Sequence, residues 1–346
     1  MSAPDLVVVS LGTTRGLRVA DAAFVDQARQ AGASAEAIAV RIGALGPLRR
    51  AYPVNDLVEA AAARRALAAA LERRPRAVVF STVTAALLAP RLQLPYAVRL
   101  DSPAALNRPG RASSVLHPLE RRALEGARVV LPWSRAALAA LPAGRERAIV
   151  LPPPVTPSEP PLERERLAVA YVPDPKAKGL EILCAAWRLA HVEDARLEVF
   201  GIEPERARRH LERTGVPEPD AVEWRGMAPA PGFRAALRRA RVFAAAARWE
   251  DFGQAQLEAL ADGALLATVP SGGAYEALAV ARELEPRLAA DTLDSGAFAE
   301  CLRAAFELPP ERVERYRHEA AMKLAAYSPQ ALASRLASEV IPALLH

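Results

Sequence analysis

The 346 residues suffice for two domains of ordinary size, and with 51% apolar residues each can bury a core. Two cysteines are too few for a disulfide framework. Sparse aromatics without a binding motif argue against a nucleic-acid partner, and no apolar run reaches the roughly 18 residues of a membrane-spanning helix. The net charge of +5 is uneven: residues 1–150 hold 21 Arg and 11 acidic residues, a formal +10, which leaves −5 for the rest.

The N-terminal Met-Ser-Ala-Pro-Asp has no signal-peptide pattern, and a cytoplasmic location is expected. Asp5 to Ser10 reads as a buried strand, and Leu11 to Gly16 as a glycine loop before an amphipathic run from Leu17 to Ala31. That loop lacks the G-x-G-x-x-G spacing of a dinucleotide site. Asn55 to Leu71 reads as an Ala-rich helix. Ala77–Phe80 and Tyr96–Leu100 read as strands, the second opening into a polar loop from Asp101 to Ser114. Polar loops at the carboxyl ends of parallel strands are where such folds keep function, so Asp101, Asn107 and Arg108 are candidate acceptor-binding residues, with an Asx turn as the structural alternative. His117 and Glu120 begin the next helix, and Arg128 to Ser134 holds a further strand.

Leu151 to Pro161 is Pro-dense and reads as a linker. Beyond it come the strand Leu167–Val172, a helix opened by Lys178-Gly179, the strand Leu197–Gly201 and the strand Val222–Gly226. In Glu250-Asp251-Phe252-Gly253, the Phe-Gly step would place bare N–H groups at a helix start, where the dipole favours a phosphate. Glu258, about a turn and a half further on, and Glu250 in the preceding loop are placed to accept from sugar hydroxyls. The apolar run Ala264–Val269 reads as a strand, and Pro270 to Glu276 as a glycine-rich turn opening another helix. Residues 312–345 look helical, broken near Ser328-Pro329. The strand–helix alternation points to doubly wound α/β units. No His, Cys and Asp cluster has metal-ligand spacing.

Glu250 and Glu258 with seven residues between them, Ala259 to Gly263, Gly272-Gly273 before Glu276, Lys178-Gly179, and the strands ending at Gly201 and Gly226 together resemble the retaining glycosyltransferases of family 4 over roughly residues 165–280. The resemblance implies a GT-B fold of two Rossmann-like doubly wound parallel-sheet domains facing across a cleft. Residues 1–160 would form the acceptor-side domain and 161–328 the nucleotide-sugar domain, with the helix of 329–346 crossing back to the first. It implies transfer of a hexose-type sugar from a nucleoside diphosphate sugar, UDP- or GDP-linked, to an acceptor hydroxyl, with no essential metal and no cofactor. By this resemblance the donor would meet Gly12, Arg15, Gly16, Lys178, Gly201, Arg225, Glu250, Phe252, Gly253, Glu258, Gly272 and Gly273. Lys178, Glu250 and Asp101 would be the catalytic residues.

One departure is Pro173, where the family usually carries an Arg that clamps the diphosphate with the Lys; Lys176 or Arg15 is left as the substitute. The departure keeps open a catalytically silent GT-B protein that binds a nucleotide sugar or a partner; a nucleotide-sugar epimerase of the same fold is the other rival. The basic first half, clustered at Arg49-Arg50, Arg64-Arg65, Arg73-Arg74-x-Arg76 and Arg121-Arg122, suggests an anionic or membrane-bound acceptor and peripheral contact with a membrane, or else a solvated Arg-rich surface.

Overall fold

The computed structural model describes residues 3–43, 46, 52–107, 114–158 and 162–346, with Arg15 described through its backbone only. The chain forms two compact units, Met1–Pro154 with Tyr327–His346, and Val155–Ala326.

The sheet of the first unit is built from β1 (Leu6–Ser10), β2 (Ala35–Ala39), β3 (Ala77–Phe80), β4 (Tyr96–Leu100) and β5 (Val129–Pro132), all parallel in the order β2-β1-β3-β4-β5. Side chains alternate across a strand, and both faces here are buried. Leu6 and Val8 join one core with Phe24 and Leu131, while Val7 and Val9 join another with Leu67, Phe80 and Leu124. Burial on both faces is why β1 reads as a continuous apolar run. Leu332, Leu336, Val340 and Leu344 recur every fourth residue, line one face of the terminal helical segment and complete the first of these cores. Each such burial contributes about 1.5–3 kcal/mol. Arg335 donates to the Val150 carbonyl at 2.7 Å and Arg128 to the Ala343 carbonyl at 2.9 Å, tying the segment to the same unit.

The second sheet comprises β6 (Glu165–Tyr171), β7 (Arg196–Phe200), β8 (Val222–Gly226), β9 (Ala240–Ala245) and β10 (Leu265–Thr268), parallel in the order β10-β9-β6-β7-β8. From β6 the chain winds outward through β7 and β8, then returns to β9 and winds the other way. The order therefore reverses between β6 and β9, and the loops after these two strands face the crevice where open α/β sheets take ligands. Phe233, from the helix Ala230–Arg239, packs among the rings of Tyr171, Phe200 and Phe243 on one face of the sheet.

Two strands escape the pattern of the sequence. β2 is an edge strand of Ala, Glu and Ile in which every residue after Ala35 is partly or wholly exposed, and β9 is central but Ala-rich; neither composition favours a strand. The helix expected from Asn55 to Leu71 spans Val54–Glu72. The compact units divide after Pro154 and after Ala326; Thr156 and Ser158 bond to Arg234 and Asp262 and so fold with the second unit. Both cysteines are free and buried, and burial pushes the Cys184 thiol up to about 12. Among the described residues no helix is long and apolar enough to cross a membrane.

Candidate functional site

The switch point of the second sheet is assembled by backbone contacts that only glycine permits. After β6 the chain turns at Asp174, whose Oδ1 accepts from the N–H groups of Lys176 and Ala177, both at 3.0 Å, an Asx-type turn. Asp174 O then accepts from Lys178 N at 2.9 Å, and Gly179, at φ +61°, starts the helix Leu180–Ala190. A Cβ on Gly179 would lie 2.1 Å from the Ala246 carbonyl oxygen, so the loop after β9 passes directly over this glycine. Trp249 N donates to Ala177 O at 3.1 Å and joins the two loops.

Across that junction Lys178 Nζ donates to Glu250 Oε2 at 2.8 Å and to the Trp249 carbonyl at 3.3 Å. Gln256 Nε2 donates to the same Glu250 oxygen at 2.8 Å. The Lys178 and Glu250 side chains are 22% and 15% exposed, open enough to exchange partners yet poorly screened. Gly272 N donates to Arg248 O, and a Cβ on Gly272 would strike the Trp249 ring. A Cβ on Gly273 would lie 2.1 Å from Glu250 O. Their observed role is to let the turn after β10 support the backbone that carries Glu250.

Gly253, at φ +92°, begins the helix Gln254–Ala261, with the Tyr275 ring and Ala277 Cβ filling the place of a side chain. Its N-cap residue is a glycine and offers no capping side chain, and the first-turn N–H groups have no acceptor within the helix. Phe252 is buried, so its backbone rather than its ring can serve a ligand. Glu258 accepts from Gln254 Nε2 at 3.1 Å and pairs with Arg234 at 3.2 Å. Arg234 also donates to Asp262 Oδ1 at 2.8 Å and to Thr156 O at 2.6 Å. Glu258 therefore stands at the rim of an ion cluster that anchors the linker.

The remaining candidates of this unit sit differently. Gly201, at φ +88°, lets the end of β7 approach Tyr171 and the Pro173 nitrogen, and its N–H donates to Gly226 O at 2.8 Å. Arg225 reaches Glu198 at 2.8 Å and Glu223 at 3.1 Å on the sheet face; the hydrogen bond it donates to Glu198 raises its pKa. Sequence reading missed Arg248, which grips Glu181 Oε1 through Nε at 3.0 Å and a terminal nitrogen at 2.6 Å, while His210 Nε2 meets Glu181 Oε2 at 2.8 Å. Burial opposes ionisation of Glu181, but the bonds from His210 and Arg248 prevail and hold its carboxyl below the usual range. No spacing rule links residues 181, 210 and 248; they meet only through the sheet order.

In the first unit, Gly12, at φ +54°, follows β1 and its carbonyl accepts from Arg18 at 2.9 Å. Thr14 caps the helix Arg15–Gln30 by accepting from Leu17 N at 3.2 Å. A Cβ on Gly16 would meet only Thr14 Oγ1, at 4.0 Å. The Arg15 side chain and all of Arg108 lie outside the described residues. Asp101 Oδ1 accepts from Ser102 N at 2.8 Å at the end of β4, and Asn107 ends the helical turn Ala104–Asn107. One residue before β4 ends, Arg99 is 2% exposed, donates to Asp21 at 2.9 Å and lies 4.5 Å from the Phe24 ring centroid. Burial lowers the Arg99 pKa, and Asp21 and Asp101 work against that shift. The arginines at 64, 65, 73, 74, 76, 121 and 122 are exposed, whereas Arg49 and Arg50 lie outside the described residues. Among the described residues no three His, Cys, Asp or Glu are placed to hold a metal.

Residues 164–307 match the family model of the glycosyl transferases group 1. Among solved structures the chain is similar to a sucrose-phosphate synthase from Thermosynechococcus elongatus, with a TM-score of 0.74, 16% identity and 96% of each chain covered. It is also similar to Anabaena HepE in complex with UDP-glucose (TM-score 0.71, 15% identity, 97% of this chain and 98% of that one) and to a glycosyltransferase from Rickettsia africae (TM-score 0.68, 13% identity, 98% of each). No curated protein matches the sequence. The two parallel five-stranded sheets with flanking helices are those of the GT-B fold.

Proposed function

We propose that the protein is a glycosyltransferase that moves a hexose-type sugar from a nucleoside diphosphate sugar to an acceptor hydroxyl, with retention at the anomeric carbon and without a metal or cofactor. The observation that carries this is the Lys178–Glu250 pair at the switch point of the second sheet, beside the helix that starts at Gly253. The family match over residues 164–307 supports it.

A diphosphate entering the crevice offers Lys178 more negative charge than Glu250 does, so the lysine exchanges partners and Glu250 is released to accept from hydroxyls of the sugar. The first-turn N–H groups after Gly253 face the departing oxygens. As the anomeric C–O bond breaks, its electron pair stays on the diphosphate. The acceptor oxygen attacks from the same face, and its proton passes to a leaving phosphate oxygen, so no carboxylate nucleophile is required. Preorganised donors of this kind each lower the barrier by about 3–4 kcal/mol. Glu258 takes the ribose hydroxyls beside Arg234. Gly12, Arg15, Gly16, Gly201, Arg225, Gly272 and Gly273 complete the donor assignment, and Asp101, Asn107 and Arg108 serve the acceptor.

The test is release of nucleoside diphosphate from UDP- and GDP-linked hexoses by the wild type, Lys178→Ala and Glu258→Ala. Release by the wild type that falls about a hundred-fold or more in Lys178→Ala supports the function. Full activity in Lys178→Ala sinks the assigned role. Nucleotide binding without release from any donor favours the silent GT-B protein, which Pro173 in place of a cation supports. An anionic acceptor at a membrane follows from the exposed arginines and is checked with vesicles of anionic lipid at low salt, where absence of binding removes it.

A further inference from the structure

Glu203 carries a carboxylate with one long backbone hydrogen bond and, among the described residues, no ion pair. It stands at the N-cap of the helix Pro204–Thr214, where a polar side chain ordinarily accepts from the second or third helical N–H, yet it makes no cap bond. It turns instead to the end of β8. Its Oε1 accepts from Met227 N at a long 3.4 Å, and both oxygens lie 3.4 Å from where a Cβ on Gly226 would stand. Glu203 is exposed, and among the described residues it joins no ion pair. Met227, whose backbone it touches, is 66% exposed. An exposed apolar, polarizable side chain beside an exposed carboxylate provides two things an aromatic base needs: a surface for its face and acceptors for its edge.

The position fits a base as well. Lys178 marks the phosphates between β6 and β9. Glu203 and Met227 lie at the ends of β7 and β8, two strand spacings or about 10 Å along the same edge. That span suits the distance from a β-phosphate, past the ribose, to the outer edge of a base. Guanine offers two adjacent donors there, N1–H and the 2-amino group, which match the two oxygens of one carboxylate in charge-assisted bonds. Uracil offers one N–H flanked by two carbonyl oxygens, which a carboxylate repels.

We propose that Glu203 reads guanine, with Met227 against the face of the base, so that the donor is a guanosine diphosphate sugar. This rests on the nucleotide-sugar function proposed above. The experiment is calorimetric titration of GDP, IDP, XDP and UDP into the wild type and Glu203→Gln. The wild type is expected to bind GDP about ten-fold or more tighter than UDP, with IDP, which lacks the 2-amino group, in between. A glutamine presents one acceptor and one donor, the complement of xanthine, so Glu203→Gln is expected to lose GDP affinity by a similar factor and to gain XDP. The unfolding temperature of Glu203→Gln without ligand is expected to match the wild type, which separates recognition from stability. Preference for UDP, or Glu203→Gln binding GDP as the wild type does, overturns the base assignment and leaves the donor site standing. Failure of every nucleotide to bind overturns the donor site and this inference together.

Discussion

Gly273→Ala tests the construction of the site directly. Its Cβ would lie 2.1 Å from Glu250 O and 2.7 Å from Glu250 C, both backbone atoms without a rotamer to yield, whereas real Cβ contacts stay beyond 3.0 Å. The two segments must part by about 0.9 Å, the difference between 3.0 and 2.1 Å, and Glu250 moves with them, away from a Lys178 now 2.8 Å distant. Forced overpacking of this kind costs about 1–3 kcal/mol. For a unit of this size each kcal/mol lowers Tm by about 2–4 °C. A misplacement near 1 Å is enough to lower turnover by about a hundred-fold. Gly232→Ala is the control: it is helical, has nothing within 4 Å of its Cβ, and is expected to gain about 0.5–1 kcal/mol. Scanning calorimetry should assign the loss to the transition of the second unit, since two units need not unfold together, and nucleotide titration should show weakened binding. A Gly273→Ala protein with wild-type Tm and wild-type nucleotide affinity refutes the close-packed platform and its role in placing Glu250.

In the first unit, Arg99→Met leaves Asp21 buried without its partner and is expected to cost about 3–5 kcal/mol by denaturant titration, while Arg99→Met with Asp21→Leu recovers most of it. Leu336→Ala empties a fully buried position and is expected to cost about 2–5 kcal/mol, with the calorimetric loss confined to the unit that contains β1. Glu181 has a folded pKa below its ordinary value, so its stabilising contribution is present above that value and disappears as pH falls through the depressed one. Glu181→Gln should therefore flatten the acid side of the stability profile, and an unchanged profile would remove the bonds from His210 and Arg248 as its cause. With its thiol pushed up to about 12, Cys184 should resist alkylation in the native protein at neutral pH and react once unfolded.

The legible parts of the fold are those where one physical demand dominates a short stretch. β1 and β3 are buried on both faces and so are nearly pure runs of Val, Leu, Ala and Phe. Gly179, Gly253 and Gly272-Gly273 stand out because a left-handed turn, or a neighbouring backbone or ring at 2–3 Å, excludes every other residue. The close packing at the glycine pair was not legible: sequence suggested a glycine-rich turn opening a helix, and the structure adds its support for the Glu250 backbone. β2 and β9 were hidden because an edge position and a lining of alanine weaken the strand pattern.

By itself the sequence determined the local choices: which segments are extended or helical, where the chain must turn on glycine, and that two α/β units meet near a Pro-dense linker. Tertiary structure alone decided which distant side chains become neighbours. Lys178 and Glu250 are 72 residues apart in the chain and bonded at 2.8 Å because the sheet reverses direction between β6 and β9. The same order brings Glu181 to His210 and Arg248, Glu258 to Arg234, and Glu203 to the end of β8. Strand order depends on which faces bury together across the whole unit, a property that no window of sequence contains.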